Sequence, residues 1–352
     1  MKTFLQPLQN LAEMEEIQKQ AKKNRGILEI SGCMESQKAH LMYGLSGLFP
    51  CHLVIAADEK SAKELYEDYR FYDKRVNYYP AKDLLFFQAD IHGNLLIRQR
   101  MQVIRALLER EDEITVVTSI DGCMDYLAPL EKIEKQLIHF RNDSTLDMDK
   151  LTAALVHMGY ERVGQVEMPG QFSIRGGIID IYSLTEENPW RIELWGDEID
   201  SIRSFDAQSQ RSLENLDDVT IYPAAEQPME KNGVSFLDYF KETETLFFLD
   251  ELNHLEENAK AVQEEFQQSC ENRKEKGEIS LSGDWMCTWE ELCHKINDRN
   301  CVAMSLLDPK KSNWKISGQF NITVKSMSSY QSSFELLVKD LKQYKKEEYQ
   351  IV

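Results

Sequence analysis

Leu28–His40 reads LEISGCMESQKAH: a short apolar strand, then Gly32, then Lys38 at the head of a helical pattern. A phosphate-binding loop runs strand, GxxxxGK[ST], helix. Its backbone N–H groups curl round the phosphates while the lysine and a hydroxyl address charge and Mg²⁺. Gly32 and Lys38 stand at that spacing, but Gln37 takes the place of the second glycine and Ala39 that of the hydroxyl. A Cβ at position 37 penalises positive φ, Ala39 has no oxygen for Mg²⁺, and Glu35 puts negative charge inside the would-be anion nest. The stretch therefore reads as the strand, loop and helix of an α/β fold whose nucleotide site, Gly32, Gln37, Lys38 and Ala39, is degenerate and non-functional.

The same texture continues on both sides. LEIS is followed by a helix over about His40–Leu48, then CHLVIAA, SAKELYEDYRFY, VNYYP, a long helix near Asn94–Glu111, and ITVVTS. Continuous apolar strands separated by helices argue for a parallel sheet covered on both faces. After Pro129 the pattern changes. A helix over Asp147–Met158, with Leu151, Ala154, Leu155 and Met158 on one face, precedes QFSIRGGIIDIYS, WRIELWG and DEIDSIRSFD. Their short turns leave no room for helical crossovers and predict an antiparallel meander. From about Leu216 the α/β texture returns. TLFFLDEL reads as a buried strand ending in Asp250 and Glu251, an acidic pair of the kind that organises Mg²⁺ and water in many ATPases. With the damaged loop, it reads as the second half of one disabled site. SFELLVKDLKQYKK aligns Phe334, Leu337, Val338 and Leu341 along one helical face, and the closing YQIV reads as a strand just begun, so a longer protein is expected. The expected units are 1–128, 129–223 and 224–352.

The net charge of −19 repels a phosphate backbone and disfavours broad nucleic-acid binding. Seven cysteines form no CxxC pair and read as reduced thiols. The histidines show no HExxH spacing, and no GxSxG elbow is present, so metal and serine-nucleophile chemistry have no candidate. No signal peptide or membrane span is legible, which places the chain in the cytoplasm.

The run Pro169–Tyr182, PGQFSIRGGIIDIY, followed by Trp190–Asp206, WRIELWGDEIDSIRSFD, and then SQRSLE, resembles the module shared by the repair helicase UvrB and the transcription-repair coupling factors. YYPAKDLLFFQAD and the damaged loop extend the resemblance over nearly the whole chain. It implies a helicase-like, RecA-type parallel-sheet domain with a degenerate P-loop, carrying an inserted, mainly antiparallel α+β module that binds UvrA. Of the two relatives the coupling factors fit better. UvrB has an intact phosphate loop and a DNA-clamping hairpin after its Tyr-Tyr run, for which the distance from Tyr78-Tyr79 to Ala106-Leu107-Leu108 is too short. The resemblance implies a non-catalytic, monomeric docking module, without a cofactor of its own, that recruits UvrA to stalled RNA polymerase in transcription-coupled nucleotide excision repair. RNA polymerase, DNA, ATP and Mg²⁺ would be engaged by further parts of the full-length family members. The alternative is a UvrB-like, ATP-dependent excinuclease subunit that binds nucleotide and DNA.

Strand alternation puts Trp190, Ile192 and Leu194 on one face and Arg191, Glu193 and Trp195 on the other. Trp and Arg are the residues most enriched at binding hot spots. Arg175 alternates with Phe172 and Ile174 and can join them. Matched to the family motif, Arg175, Arg191 and Trp195 fall where UvrA contacts are expected, Trp195 standing where Phe is common. The competing expectation is that Trp195 packs under a loop and the arginines pair with Asp197 or Glu198.

Overall fold

The computed structural model describes residues 2–23, 25–82, 93–109, 113–226, 233–276, 286–307, 314–323, 330 and 333–349. Its strands, in chain order, are β1 (Gly26–Ser31), β2 (Cys51–Ala56), β3 (Val76–Tyr79), β4 (Ile114–Ser119), β5 (Ile138–Arg141), β6 (Glu161–Arg162), β7 (Gln171–Arg175), β8 (Ile178–Ile181), β9 (Trp190–Trp195), β10 (Glu198–Phe205), β11 (Ser212–Leu216), β12 (Asp218–Ile221), β13 (Thr245–Asp250), β14 (Asn300–Ser305) and β15 (Ile316–Asn321).

Seven of them form one sheet in the order β15-β1-β14-β13-β2-β4-β3, with every neighbouring pair parallel. The apolar strands predict this arrangement because each must bury both faces. Ile27, Leu53, Ile55, Val116, Phe247 and Leu249 enter one core. Their strand neighbours Leu28, Ile30, Val54, Val117, Leu246 and Phe248 enter the other. The first core is closed by helices Gly93–Leu108, Leu252–Glu275 and Trp289–Asn297, the second by Met14–Lys23, Glu35–Ser46 and Glu59–Arg70. β13 and β14 lie between β1 and β2, so the residues after 233 complete the sheet that the first 119 begin. The helix after β1 starts at Glu35 rather than near His40, because Met34 takes the extended backbone of an N-cap and residues 35–39 wind as helix behind it. The closing YQIV and most of KDLLFFQAD fall largely or wholly outside the described residues.

The second sheet runs β11-β10-β9-β8-β7-β6 and is antiparallel except for the short β6–β7 pair. Helix Met148–His157 covers one face through Leu151 and Leu155, which meet Phe172, Ile179, Ile181 and Ile192. β5 and β12 pair separately. The chain leaves and re-enters the large sheet at one place, where Leu127 and Val234 exchange both backbone hydrogen bonds, at 2.8 and 2.9 Å.

A buried ion cluster sits beside this crossing. Arg100, fully enclosed, donates to Glu226 at 2.6 and 3.1 Å, to Asp125 at 3.1 Å and to the Pro80 carbonyl at 2.8 Å. Its guanidinium lies 4.2 Å from the Tyr79 ring centre, and Lys82 also pairs with Glu226. Burial alone would raise the Glu226 carboxyl, but Arg100 and Lys82 overcome it and hold the group at about 2. Removing one partner of such a cluster strands the others in low dielectric. Arg100→Met is expected to cost about 3–5 kcal/mol of stability, read as a fall in the urea midpoint; an unchanged midpoint would show the cluster to be dispensable.

Acidic side chains gather at the carboxyl ends of β2 and β4. Glu59 accepts from Ala81 N–H at 2.8 Å and the Ser119 hydroxyl at 2.7 Å, and from Tyr78. Asp121, just beyond β4, is pushed up to about 6 by burial and then by the charges of Glu59, Asp58 and Asp125. Its folded value lies above its unfolded one, so between about pH 4 and 6 the unfolded chain binds fewer protons, and stability falls as pH rises through that window. Asp121→Asn should therefore raise the melting temperature at pH 7.5 but scarcely at pH 4.5; an equal gain at both would refute the charge account.

Candidate functional site

The predicted nucleotide site and the predicted docking face lie on different sheets. At the first, Gly32 directly follows β1 with φ +81°, and a Cβ there would fall 2.0 Å from the Ile322 carbonyl oxygen, so the position requires glycine. Only Cys33 and Met34 separate Gly32 from the helix that begins at Glu35. Cys33 N–H donates to the Ser305 carbonyl at 3.1 Å, while Gln37 and Lys38 N–H both donate to the Met34 carbonyl, at 2.9 and 3.1 Å. These amides are spent within the protein. A loop that cradles phosphate keeps its N–H groups pointing inward at the ligand.

Lys38 completes the contrast. Its ammonium donates to Asp250 Oδ1 at 2.6 Å and Glu251 Oε1 at 2.7 Å, and its side chain is 5% exposed. Burial would pull the lysine down, but the two carboxylates outweigh it and leave Lys38 raised and charged. Glu251 adopts φ +52°, which turns its carboxylate back toward Lys38, and it also accepts from Leu306 N–H at 2.8 Å. Ala39 is fully buried. The sequence-predicted residues Lys38, Asp250 and Glu251 are thus brought together, and two negative charges face one positive. Among the described residues, no group of His, Cys, Asp and Glu is arranged to hold a metal ion.

The second site lies on the face of the antiparallel sheet opposite helix Met148–His157. Glycine turns end both of its central hairpins: Gly176-Gly177 between β7 and β8, and Gly196-Asp197 between β9 and β10. Gly176 and Gly196 take φ +61° and +66°, the left-handed region a tight hairpin turn needs. Arg175 and Trp195 are the last strand residues before these turns. Trp195 is 83% exposed and the Arg175 side chain 47%. The Arg191 side chain is only 14% exposed. Its guanidinium lies 4.4 Å from the ring centre of Phe205, itself fully buried.

The two arginines converge on a residue that the sequence reading did not single out. Asp180, on β8 and fully buried, accepts from Arg175 Nη2 at 2.6 Å and from Arg191 Nε and Nη2 at 2.7 and 2.9 Å. Asp197 and Glu198, the partners expected from proximity in sequence, are not involved. Register explains the difference, since Asp180 stands directly across from Arg191 on the neighbouring strand. Gln210, at φ +58°, accepts a further bond from Arg191 at 3.0 Å. Two residues along β9, Glu193 pairs diagonally with Arg203 of β10. A signal for Asp180 was available in GGIIDIY, where an acid interrupts an apolar run at an outward-alternating position.

Comparison with known proteins bears on this second site. Residues 138–226, which contain Arg175, Asp180, Arg191 and Trp195, match the UvrB interaction domain family. The transcription-repair-coupling factor of Bacillus subtilis (strain 168) is 39% identical over 222 residues, covering 57% of this chain and 19% of that protein. The protein of the same name from Staphylococcus aureus (strain MRSA252) is 35% identical over 159 residues, covering 45% of this chain and 13% of that protein. The Staphylococcus haemolyticus (strain JCSC1435) protein matches to the same extent, 35% over 159 residues. The chain spans a fifth or less of the length of these curated relatives. It is related in sequence to the transcription-repair coupling factors, and residues 138–226 are its counterpart of the UvrB interaction domain.

Proposed function

We propose that this chain is the N-terminal, UvrB-like region of a transcription-repair coupling factor. In this reading it is a non-catalytic docking module that recruits UvrA to stalled RNA polymerase. The observation that carries the proposal is Trp195, a large indole left 83% exposed at a hairpin end, on the same sheet face as the half-exposed Arg175, within the matched interaction domain. An exposed indole and a half-exposed guanidinium on one face are the residue types most enriched at binding hot spots. The module 129–223 would be the docking unit. Residues 1–128 and 224–352 would form a helicase-like scaffold around a disabled P-loop. RNA polymerase and DNA would be engaged by other parts of the longer protein, in the cytoplasm, and this region would act as a monomer.

Trp195→Ala and Arg175→Ala should each weaken UvrA binding by about 2 kcal/mol, roughly thirtyfold. Trp195→Ala should change stability by less than about 0.5 kcal/mol, the usual range for surface substitutions. Titration of UvrA by calorimetry reads the first and thermal melts the second; wild-type affinity in both variants would end the docking proposal.

The alternative, an ATP-dependent subunit of the UvrB type, needs a loop open to phosphate. The spent amides at Gln37 and Lys38 and the carboxylates on Lys38 argue against it. A ligand at a hundred times its Kd stabilises a protein by about 2.7 kcal/mol. ATP with Mg²⁺ at millimolar concentration is expected to leave the melting temperature unmoved; a rise of several degrees would favour the alternative.

A further inference from the structure

The three residues matched to the docking motif do not stand in equivalent places, and the reason lies in Asp180. Two guanidinium groups share its two carboxylate oxygens through three hydrogen bonds of 2.6–2.9 Å. Arg191 meets it with Nε and Nη2, the fork geometry that fixes a guanidinium plane against a carboxylate. It is further held by Gln210 and by the Phe205 ring, with its side chain 14% exposed. Arg175 meets Asp180 through Nη2 alone, and its side chain remains 47% exposed. Taken together, the trio carries one net positive charge in a segment, 129–223, that holds 9 Lys and Arg against 18 Asp and Glu.

We propose that Asp180 is a positioning residue of the docking face. Held by Arg191 on the neighbouring strand, it fixes the Arg175 guanidinium on the outer face that also carries Trp195, and Arg175 rather than Arg191 meets an acidic group of the partner. This deepens the docking proposal and rests on it. A long, exposed arginine would otherwise lose its rotamer freedom on binding, at a cost in affinity. Fixing it in advance through a buried carboxylate removes that cost. Arg191 serves as a strut, because most of its surface is already committed inside the protein.

The test is a double-mutant cycle read by UvrA titration. Asp180→Asn keeps the side chain's shape and removes its charge. It is expected to weaken UvrA binding about tenfold in the wild-type background and less than about twofold when Arg175 is already Ala. Unchanged affinity in the single variant overturns the proposal. So does an equal loss in both backgrounds, which is what a merely structural role would give. Asp180→Glu, which keeps the charge, should bind more tightly than Asp180→Asn; where the Asn variant fails to fold, a Glu variant that folds and binds no better than Arg175→Ala counts against it. Nitrogen-15 spectra of the free protein read the positioning without UvrA. The Arg191 Nε–H should exchange slowly in the wild type and quickly in Asp180→Asn, and fast exchange in the wild type overturns the geometry. Absence of UvrA binding by the wild type, with Arg191 still protected, would instead defeat the docking reading while leaving the carboxylate's hold on the arginines intact.

Discussion

The ion trio of Lys38, Asp250 and Glu251 is the constraint on which the large sheet depends. Lys38 belongs to the helix that follows β1, and the two acids, Asp250 at the end of β13 and Glu251 just after it, come more than two hundred residues later in the chain. β14 lies between these strands, so the lysine reaches across it to tie the two halves of the sheet at their carboxyl ends. Desolvating three charges is costly, and the pairing is favourable only because short, well-aimed bonds satisfy the ammonium. Such a cluster adds little net stability, but it penalises every register in which Lys38 is left unpaired. Glu251 shows how tightly the geometry is held. A non-glycine residue at φ +52° is strained, and two bonds to its carboxylate, from Lys38 and from Leu306 N–H, keep it there.

The same trio governs what the carboxyl edge can hold. In open parallel sheets this edge is where ligands bind, because strand ends and helix N-termini converge there. Here β13 ends in Asp250 with Glu251 just beyond, while Asp58, Glu59 and Asp121 follow the ends of β2 and β4. Lys38 is already neutralised, and the backbone amides of Gln37 and Lys38 bond to the Met34 carbonyl. A triphosphate would have to displace two carboxylates from Lys38 and then sit against them.

The fold class was legible because it rests on periodicity, which burial enforces residue by residue. Parallel strands buried on both faces cannot hide their apolar runs, and the hairpins of the second sheet announce themselves through GG and WGD turns. Interactions that depend on which strands become neighbours were not legible. Asp180 is five residues from Arg175 and eleven from Arg191, yet only the pairing of β8 with β9 places it between them. Arg100 left a partial trace. It follows Ile97 by three residues and precedes Ile104 by four, so a charge stands on the apolar stripe of its helix, which is the sign of a buried and paired arginine. Its partners Asp125 and Glu226 come from the crossing between the two sheets, and nothing local points to them. The helix start was misplaced for a related reason: the phosphate-loop template reserves residues 33–36 for a loop, whereas in this chain Glu35 and Ser36 are already helical.

The outer face of the small sheet follows from a limit on antiparallel architecture. One face packs on a helix, and the other must be made compatible with water while keeping its strands aligned. Charged cross-strand pairs do both, and Asp180 with Arg191 and Glu193 with Arg203 are such pairs. A side chain whose functional groups are engaged within this lattice has little left to offer a partner. Trp195 stands at the hairpin tip, where the lattice ends, across from Glu198, and its side chain is left largely exposed. Arg175 is the intermediate case, since one nitrogen is held while about half of the side chain stays exposed. Side-chain exposure therefore rises from Arg191 through Arg175 to Trp195, toward the glycine turns, as the demands of sheet pairing fall away.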